Sequence, residues 1–242
     1  AKSEEIALTR NASESIHNLI RQYKGLTSRD TVLYTDIDYP SFKDTMRWLG
    51  DTNNLKAVEL TLPAQATQQQ ILDIYIKAFE QYPSTKLMLL THVSNQYGLV
   101  LPVAEIAKVA KQKGIDIICD CAQSWGLLDF HHKVGGANKE ARLLYLQNLW
   151  TSKARKMQHI EVLGGLDKAS STGMASFRLV GQSSKEEVSA LQKRLELEFG
   201  IFTVIRVGLA SGSCIRITPQ VFTTAHNMHQ FVQALQELAD LA

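Results

Sequence analysis

Over the first 130 residues, apolar positions follow two alternating rhythms. Short apolar runs end in polar residues, and each is followed by a stretch with apolar residues at helical spacing. Ile6-Ala7-Leu8 reads as a short strand. Asn11 suits an N-cap, with Glu14 three positions on as its capping-box partner, for a helix that reaches about Tyr23 before Gly25. Thr31 to Thr35 and Lys56 to Thr61 read as strands, with a helix from about Ser41 to Leu49 between them. Thr67 and Gln70 form a second capping pair, for a helix to Gln81. Lys86 to His92 is almost wholly apolar, as expected of a strand buried on both faces. Pro102 suits a first helical turn and Gly114 a helix end, and a last strand runs from Ile115 to Asp120. Strand–helix alternation of this kind predicts an α/β fold, a mostly parallel sheet with helices on both faces.

After residue 130 the rhythm changes. A long amphipathic helix fits 137–157, short strands fit 159–163, 174–180, 201–207 and 214–218, and helices fit 184–198 and 224–240, with Gly200 ending the first of that pair. The pattern predicts a smaller α+β C-terminal domain over 131–242, behind a large domain over 1–130.

Composition narrows the picture. The chain has 242 residues, and 45% of them are hydrophobic, enough to fill a core. The formal charge is +2 from interspersed residues, which offers no argument for nucleic acid. No apolar run has the length of a membrane span, and no signal-peptide pattern opens the chain. The missing initial Met suggests a piece of a longer sequence. Three cysteines is an odd count, and with no export signal the expected setting is a reduced, cytoplasmic one. Cys119 and Cys121 lack the further ligands of a zinc set and read as buried strand-end packing residues, so no metal is expected.

Ligands of open parallel sheets bind beyond the carboxyl ends of the strands. The first strand is followed by Asn11, Ala12 and Ser13 at a helix start, where free N–H groups and a hydroxyl suit a phosphate. The second is followed by Tyr39, which offers an aromatic face; the fourth by His92 to Asn95; the fifth by Asp120 and Gln123. Singly, each has an ordinary structural explanation: a cap, a packed ring, a hydrogen-bonded core histidine, a loop acid. Together, in order on one rim, they supply a phosphate site, a ring platform and polar groups for an aromatic, phosphorylated cofactor. Neither G-x-G-x-x-G nor a Walker loop is present. Ser211-Gly212-Ser213 is not a hydrolase elbow, and His226 and His229 read as a solvated helix face.

These residues carry a resemblance. "LTRNASESIHNLI", "YTDIDYPSF", "LLTHVSNQYGLVLPVAEIAKVAKQKGIDIICDCAQSWGLLDF" and "GIFTVIRVGLASGSCIRITPQVFTTAHNMHQFVQAL" are similar to successive segments of the class V aminotransferases. That family of pyridoxal-phosphate enzymes includes the isopenicillin-N epimerase-like proteins, the branch this chain resembles more, and cysteine desulfurases. The resemblance implies a fold-type I large domain, incomplete here, with pyridoxal 5'-phosphate as cofactor. It implies that the Ala12 backbone and Ser13 hold the phosphate, that Tyr39 stacks on the ring, and that Asn95 and Gln123 bond the ring hydroxyl. Asp120 would keep the ring nitrogen protonated, so that the ring acts as an electron sink. Arg216 would bind a substrate carboxylate. An amino acid or derivative is the implied substrate, epimerase or lyase chemistry through an α-carbanion the implied reaction, and a homodimer the implied assembly. Desulfurase chemistry ranks lower, because no cysteine sits in an evident mobile loop.

The resemblance has a gap. The family's Schiff-base lysine follows the Asp120 strand, often in a His-Lys pair, and His132-Lys133 looks like that pair. Twelve residues separate Asp120 from Lys133. A parallel crossover needs about a dozen before the returning strand itself is counted. Lys133 is therefore set aside, the lysine segment is read as absent near 130/131 along with an N-terminal segment, and no catalytic residue is assigned. A catalytically inactive homologue that binds without reacting is the alternative.

Overall fold

The computed structural model describes residues 2–124, 136–220 and 222–241. Two sheets organise it. The first is wholly parallel: β1 (Thr31–Thr35), β2 (Lys56–Leu60), β4 (Thr85–Thr91) and β5 (Asp116–Asp120), in the order β2-β1-β4-β5. Side chains alternate across it. Val32, Tyr34, Leu87, Leu89 and Ile118 pack with α1 (Ala12–Arg21) and α2 (Pro40–Asn53). Leu33, Met88 and Leu90 pack with α3 (Gln68–Gln81) and α4 (Val103–Gln112). A layer of helices on each face explains why β1 is buried at all five positions.

Local signals place the helix ends. Asn11 Oδ1 accepts the Glu14 N–H at 2.9 Å. Glu14 turns back to the Arg10 N–H at 2.8 Å and not to the cap residue itself. The Thr67–Gln70 box closes reciprocally at the start of α3. Gly114 and Gly200 end their segments at φ +70° and +65°, where a side chain is strained.

The second sheet has the order β3-β6-β7-β9-β8, with β6 (Ile160–Gly165), β7 (Ala175–Leu179), β8 (Val204–Arg206) and β9 (Cys214–Ile217) antiparallel. Helices α5 (Gly136–Ala154), α6 (Lys185–Phe199) and α7 (Ala225–Glu237) supply its core partners. Trp150 of α5 meets Phe231 and Phe177 edge-on, at ring-centroid distances of 5.3 and 6.2 Å. Strand β3 (Gln65–Ala66) comes from the N-terminal part of the chain and pairs parallel with Gly164 and Gly165 of β6. Two residues give no periodicity, so the sequence offered no sign of it.

Buried polar groups also bridge the sheets. Asp36, at the end of β1, accepts N–H bonds from Leu62 at 3.0 Å and Ala210 at 3.2 Å. Lys43 Nζ donates to Asp36 O at 3.0 Å, Gly208 O at 3.3 Å and Glu59 Oε1 at 3.3 Å. The β8–β9 turn is thus clasped to the first sheet.

Two expectations fail. Ile6 to Leu8 is not a strand: no neighbour pairs with it, and Leu8 is 97% exposed. Cys119 and Cys121 are not buried packing residues, because among the described residues β5 is an edge strand; Cys119 is exposed and Cys121 half-buried. The proposed boundary near 130/131 and Lys133 lie outside the described residues. Among the described residues no helix is long and apolar enough to cross a membrane.

Phe177 is fully buried between Trp150 and Phe231. Phe177→Ala is expected to cost about 3–5 kcal/mol, read as a lowered urea midpoint with the fold otherwise retained.

Candidate functional site

The carboxyl ends of β1, β4 and β5 lie on one rim, and a cavity of about 110 Å³ opens there. Its wall combines Ala12 and Ser13 from α1, Tyr39 from the start of α2, Asn95 from the loop after β4, and Asp120 and Gln123 from β5 and its turn. All six residues expected from the sequence to surround a cofactor therefore line one space. Thr91, Val93, Phe42 and Ala122 complete it.

Each wall residue has a local cause. The Asn11 cap opens α1 so that the Ala12 and Ser13 N–H groups fall in the first turn, where no helical carbonyl can reach them. Tyr39 precedes Pro40 in α2, and its ring tilts against Phe42 with centroids 5.2 Å apart. Asn95 is held from both sides. The Ser94 N–H donates to Leu99 O at 2.9 Å, and the Gly98 N–H to Ser94 O at 3.0 Å. Gly98 has φ +72°, and a Cβ there would sit 2.5 Å from Met174 O, so the loop packs this close to β7 only with glycine.

Thr91 and Asp120 are register partners in β4 and β5. Asp120 is buried, and its Oδ1 accepts the Ala122 N–H at 2.9 Å. Burial raises its pKa, the Ala122 bond opposes this, and among the described residues no lysine or arginine pairs with it. A buried acid without a countercharge fits a cationic ring nitrogen, which would relieve that cost. The open helix N-terminus with Ser13 fits a phosphate, and Tyr39 fits a ring face. The residues present thus suit pyridoxal 5'-phosphate.

Behind this wall lies a residue that sequence reasoning missed. Asp38 is fully buried and accepts bonds from the Thr35 N–H at 2.6 Å, Thr35 Oγ1 at 3.0 Å and Thr91 Oγ1 at 2.5 Å. Burial pushes its pKa up to about 6 despite those bonds, and the Asp120 charge adds to the rise. The acid in "DID" next to Tyr39 was a usable signal, but a single acid before a helix usually caps it.

Arg216 stands apart. It lines a separate groove of about 710 Å³ between β8, β9 and α7, shared with Phe202 and Asn227. Its Nη1 donates to Asn95 O at 2.7 Å, which ties it to the cavity wall. Among the described residues its buried Nε has no hydrogen-bond partner and no carboxylate pairs with it. Burial and the Arg206 charge push its pKa down, to about 10, so it stays cationic at neutral pH. His92 is half-buried and outside the cavity wall; His226 and His229 are exposed on α7. No group of three or more His, Cys, Asp or Glu side chains among the described residues could hold a metal ion.

A family model, Aminotransferase class-V, matches residues 1–133, more than half of the chain. The chain belongs to the class V aminotransferases. Curated relatives include a probable cysteine desulfurase of Methanothermobacter thermautotrophicus, 28% identical over 144 residues that cover 57% of this chain and 33% of that protein. Another is the isopenicillin N epimerase of Streptomyces clavuligerus, 26% identical over 125 residues, 51% of this chain and 31% of that protein. The matched segments thus span about a third of those class V relatives. Among solved structures, the Escherichia coli cysteine desulfurase CsdA superposes with a TM-score of 0.76 at 14% identity, covering 96% of this chain and 78% of that one. A C-DES mutant with glycine covalently linked to its PLP cofactor gives 0.72 at 16% identity, covering 96% and 80%. The fold is that of the fold-type I class V enzymes, and pyridoxal 5'-phosphate is the family's cofactor.

The Asp38 pKa of about 6 lies above that of an unfolded aspartate, so the folded state holds this proton more tightly. The stability this supplies is full below about pH 4 and is lost as pH rises through the folded value. Asp38→Asn removes the titration. The stability of the variant relative to the parent is expected to rise by on the order of 3 kcal/mol between acid and neutral pH, measured by urea unfolding across that range. A difference that does not change with pH would show that Asp38 titrates normally.

Proposed function

We propose that this chain is part of a pyridoxal-phosphate-dependent enzyme acting on an amino acid or amino-acid derivative, with epimerase or lyase chemistry. Residues 1–130 would carry the cofactor wall, and residues 131–242 the substrate-carboxylate side. The supporting observation is the convergence of Ala12, Ser13, Tyr39, Asn95, Asp120 and Gln123, from four separate segments, on one cavity. When bound, the cofactor supplies an electron sink for the substrate's α-carbon.

The chain's own residues then have definite tasks. The first turn of α1 and the Ser13 hydroxyl bind the phosphate. Tyr39 covers one face of the ring and excludes water from it. Asp120 holds a proton on the ring nitrogen, and the Ala122 N–H orients that carboxylate. Asn95 and Gln123 bond the ring hydroxyl. Arg216, positioned through Asn95 O, takes the substrate carboxylate. A homodimer belongs to the same reading.

Desulfurase chemistry is supported less. It needs a mobile, nucleophilic cysteine. Cys214 is fully buried on β9, with its thiol pushed up to about 11, and the turn 207–213 before it carries no cysteine. The second reading, a homologue that binds without reacting, is favoured by one observation: no lysine lines the described cavity.

Titration of the full chain with pyridoxal 5'-phosphate, followed by cofactor absorbance, tests the proposal. Saturable binding is expected, weakened about ten-fold or more by Asp120→Ala, which is the loss of a charge-assisted bond of roughly 1.4 kcal/mol or more. Binding that ignores Asp120→Ala, or no binding at all, would sink it. Turnover of bound amino acid, seen as racemisation or release of a β-substituent, separates the enzyme from the silent homologue.

A further inference from the structure

Cys119 and Cys121 bracket Asp120 at the end of β5, the edge strand of the first sheet among the described residues. Neither has a role in the cofactor wall. Cys119 lies in β5 and Cys121 just past its end, and their Sγ atoms lie 3.6 Å apart. Cys119 is exposed and Cys121 half-buried, so a small reagent can reach the pair. Asp120, between them, faces the opposite side with Ile118, into the cavity and the α1–α2 layer.

We propose that Cys119 and Cys121 are a modification site: a dithiol that closes reversibly to a disulfide by exchange with a low-molecular-weight disulfide, displacing the Asp120 carboxylate. In the first step one cysteine thiolate attacks a sulfur of the reagent. The reagent's S–S bond breaks, a mixed disulfide forms, and the departing thiolate takes up the proton that the cysteine gave to solvent. In the second step the other cysteine, deprotonated in turn, attacks the protein sulfur of the mixed disulfide and expels the second reagent thiol. The protein loses two protons and two electrons, and the reagent disulfide takes them up to become two thiols.

Closure acts on Asp120 through chain geometry. Two strand residues span about 6.6 Å between Cα atoms, at the upper end of the roughly 4.4–6.8 Å range that disulfides accept. Closing the S–S bond draws residues 119 and 121 together and tightens the pleat at Asp120. The Asp120–Ala122 bond, only two residues in span, cannot keep its geometry through that change. A ring this small is strained, so the disulfide is readily reduced again. Partial loss of water around the sulfur and the neighbouring Cys121 push the Cys119 thiol up to about 12, so the thiolate is scarce at neutral pH and exchange quickens as pH rises.

The effect on the cavity rests on the cofactor reading above; the dithiol chemistry does not. The test treats the full chain with oxidised glutathione and records intact mass and a peptide map. A loss of two hydrogens, with the bridge mapped between residues 119 and 121 and Cys214 free, is expected. Cys119→Ser and Cys121→Ser should instead stop at a stable glutathione adduct. No bridge, or one involving Cys214, overturns the proposal. The oxidised chain is expected to bind pyridoxal 5'-phosphate about ten-fold more weakly, with recovery after a dithiol reductant and no change in the double serine variant. A mapped bridge with unchanged cofactor affinity overturns the link to Asp120. If the reduced chain binds no cofactor, the function proposed above fails, while the mass and map still decide the dithiol.

Discussion

Parallel pairing of β1, β4 and β5 is the constraint on which the rest depends. Parallel strands share a direction, so their carboxyl ends meet on one rim and everything placed after them becomes neighbours. Thr91 is brought opposite Asp120 by register alone. Tyr39 and Asn95 arrive because β1 and β4 both end beside that point. The burial of β1 and β4 on both faces makes their register costly to shift, since a slip by one residue would send every side chain to the wrong layer.

Burial of the rim has an electrostatic consequence. Asp36, Asp38 and Asp120 are three carboxylates held near one another, each with its pKa raised by loss of water. Asp36 and Asp38 are met by several protein donors, and Asp120 by one backbone N–H. The acid with the fewest donors is the one that lines the cavity. That asymmetry points to an outside group for Asp120, whereas the other two hold the frame.

Much of this was legible in the residues. Thr31–Thr35 and the Thr67 capping box were placed where the structure has them, because both signals are local: β-branched residues in one run, a cap and its partner three positions apart. The six cavity residues were legible as strand-end residues in order, although their convergence depends on the register of strands far apart in sequence. What was not legible was decided by neighbours. Ile6 to Leu8 has strand composition and no strand beside it. Cys119 closes an apolar run, as a buried residue would, and is exposed. β3 is too short for any pattern and forms because Gly164 and Gly165 of β6 offer it a partner. Asp38 carries no decisive signal of its own in the sequence, and its role emerges only once Thr91, over 50 residues later, lies against it.

The clasp of Asp36 and Lys43 on residues 208–210 bears on how the molecule comes apart. The acid draws one N–H from the segment after β2 and another from the β8–β9 turn, and the lysine bonds carbonyls on both sides. Pulling the second sheet away would take the Ala210 donor from Asp36 and the Gly208 acceptor from Lys43, leaving the acid its Leu62 N–H and the lysine Asp36 O and Glu59. The two hydrophobic cores are therefore coupled at this seam, since opening it withdraws polar partners from both sides at once.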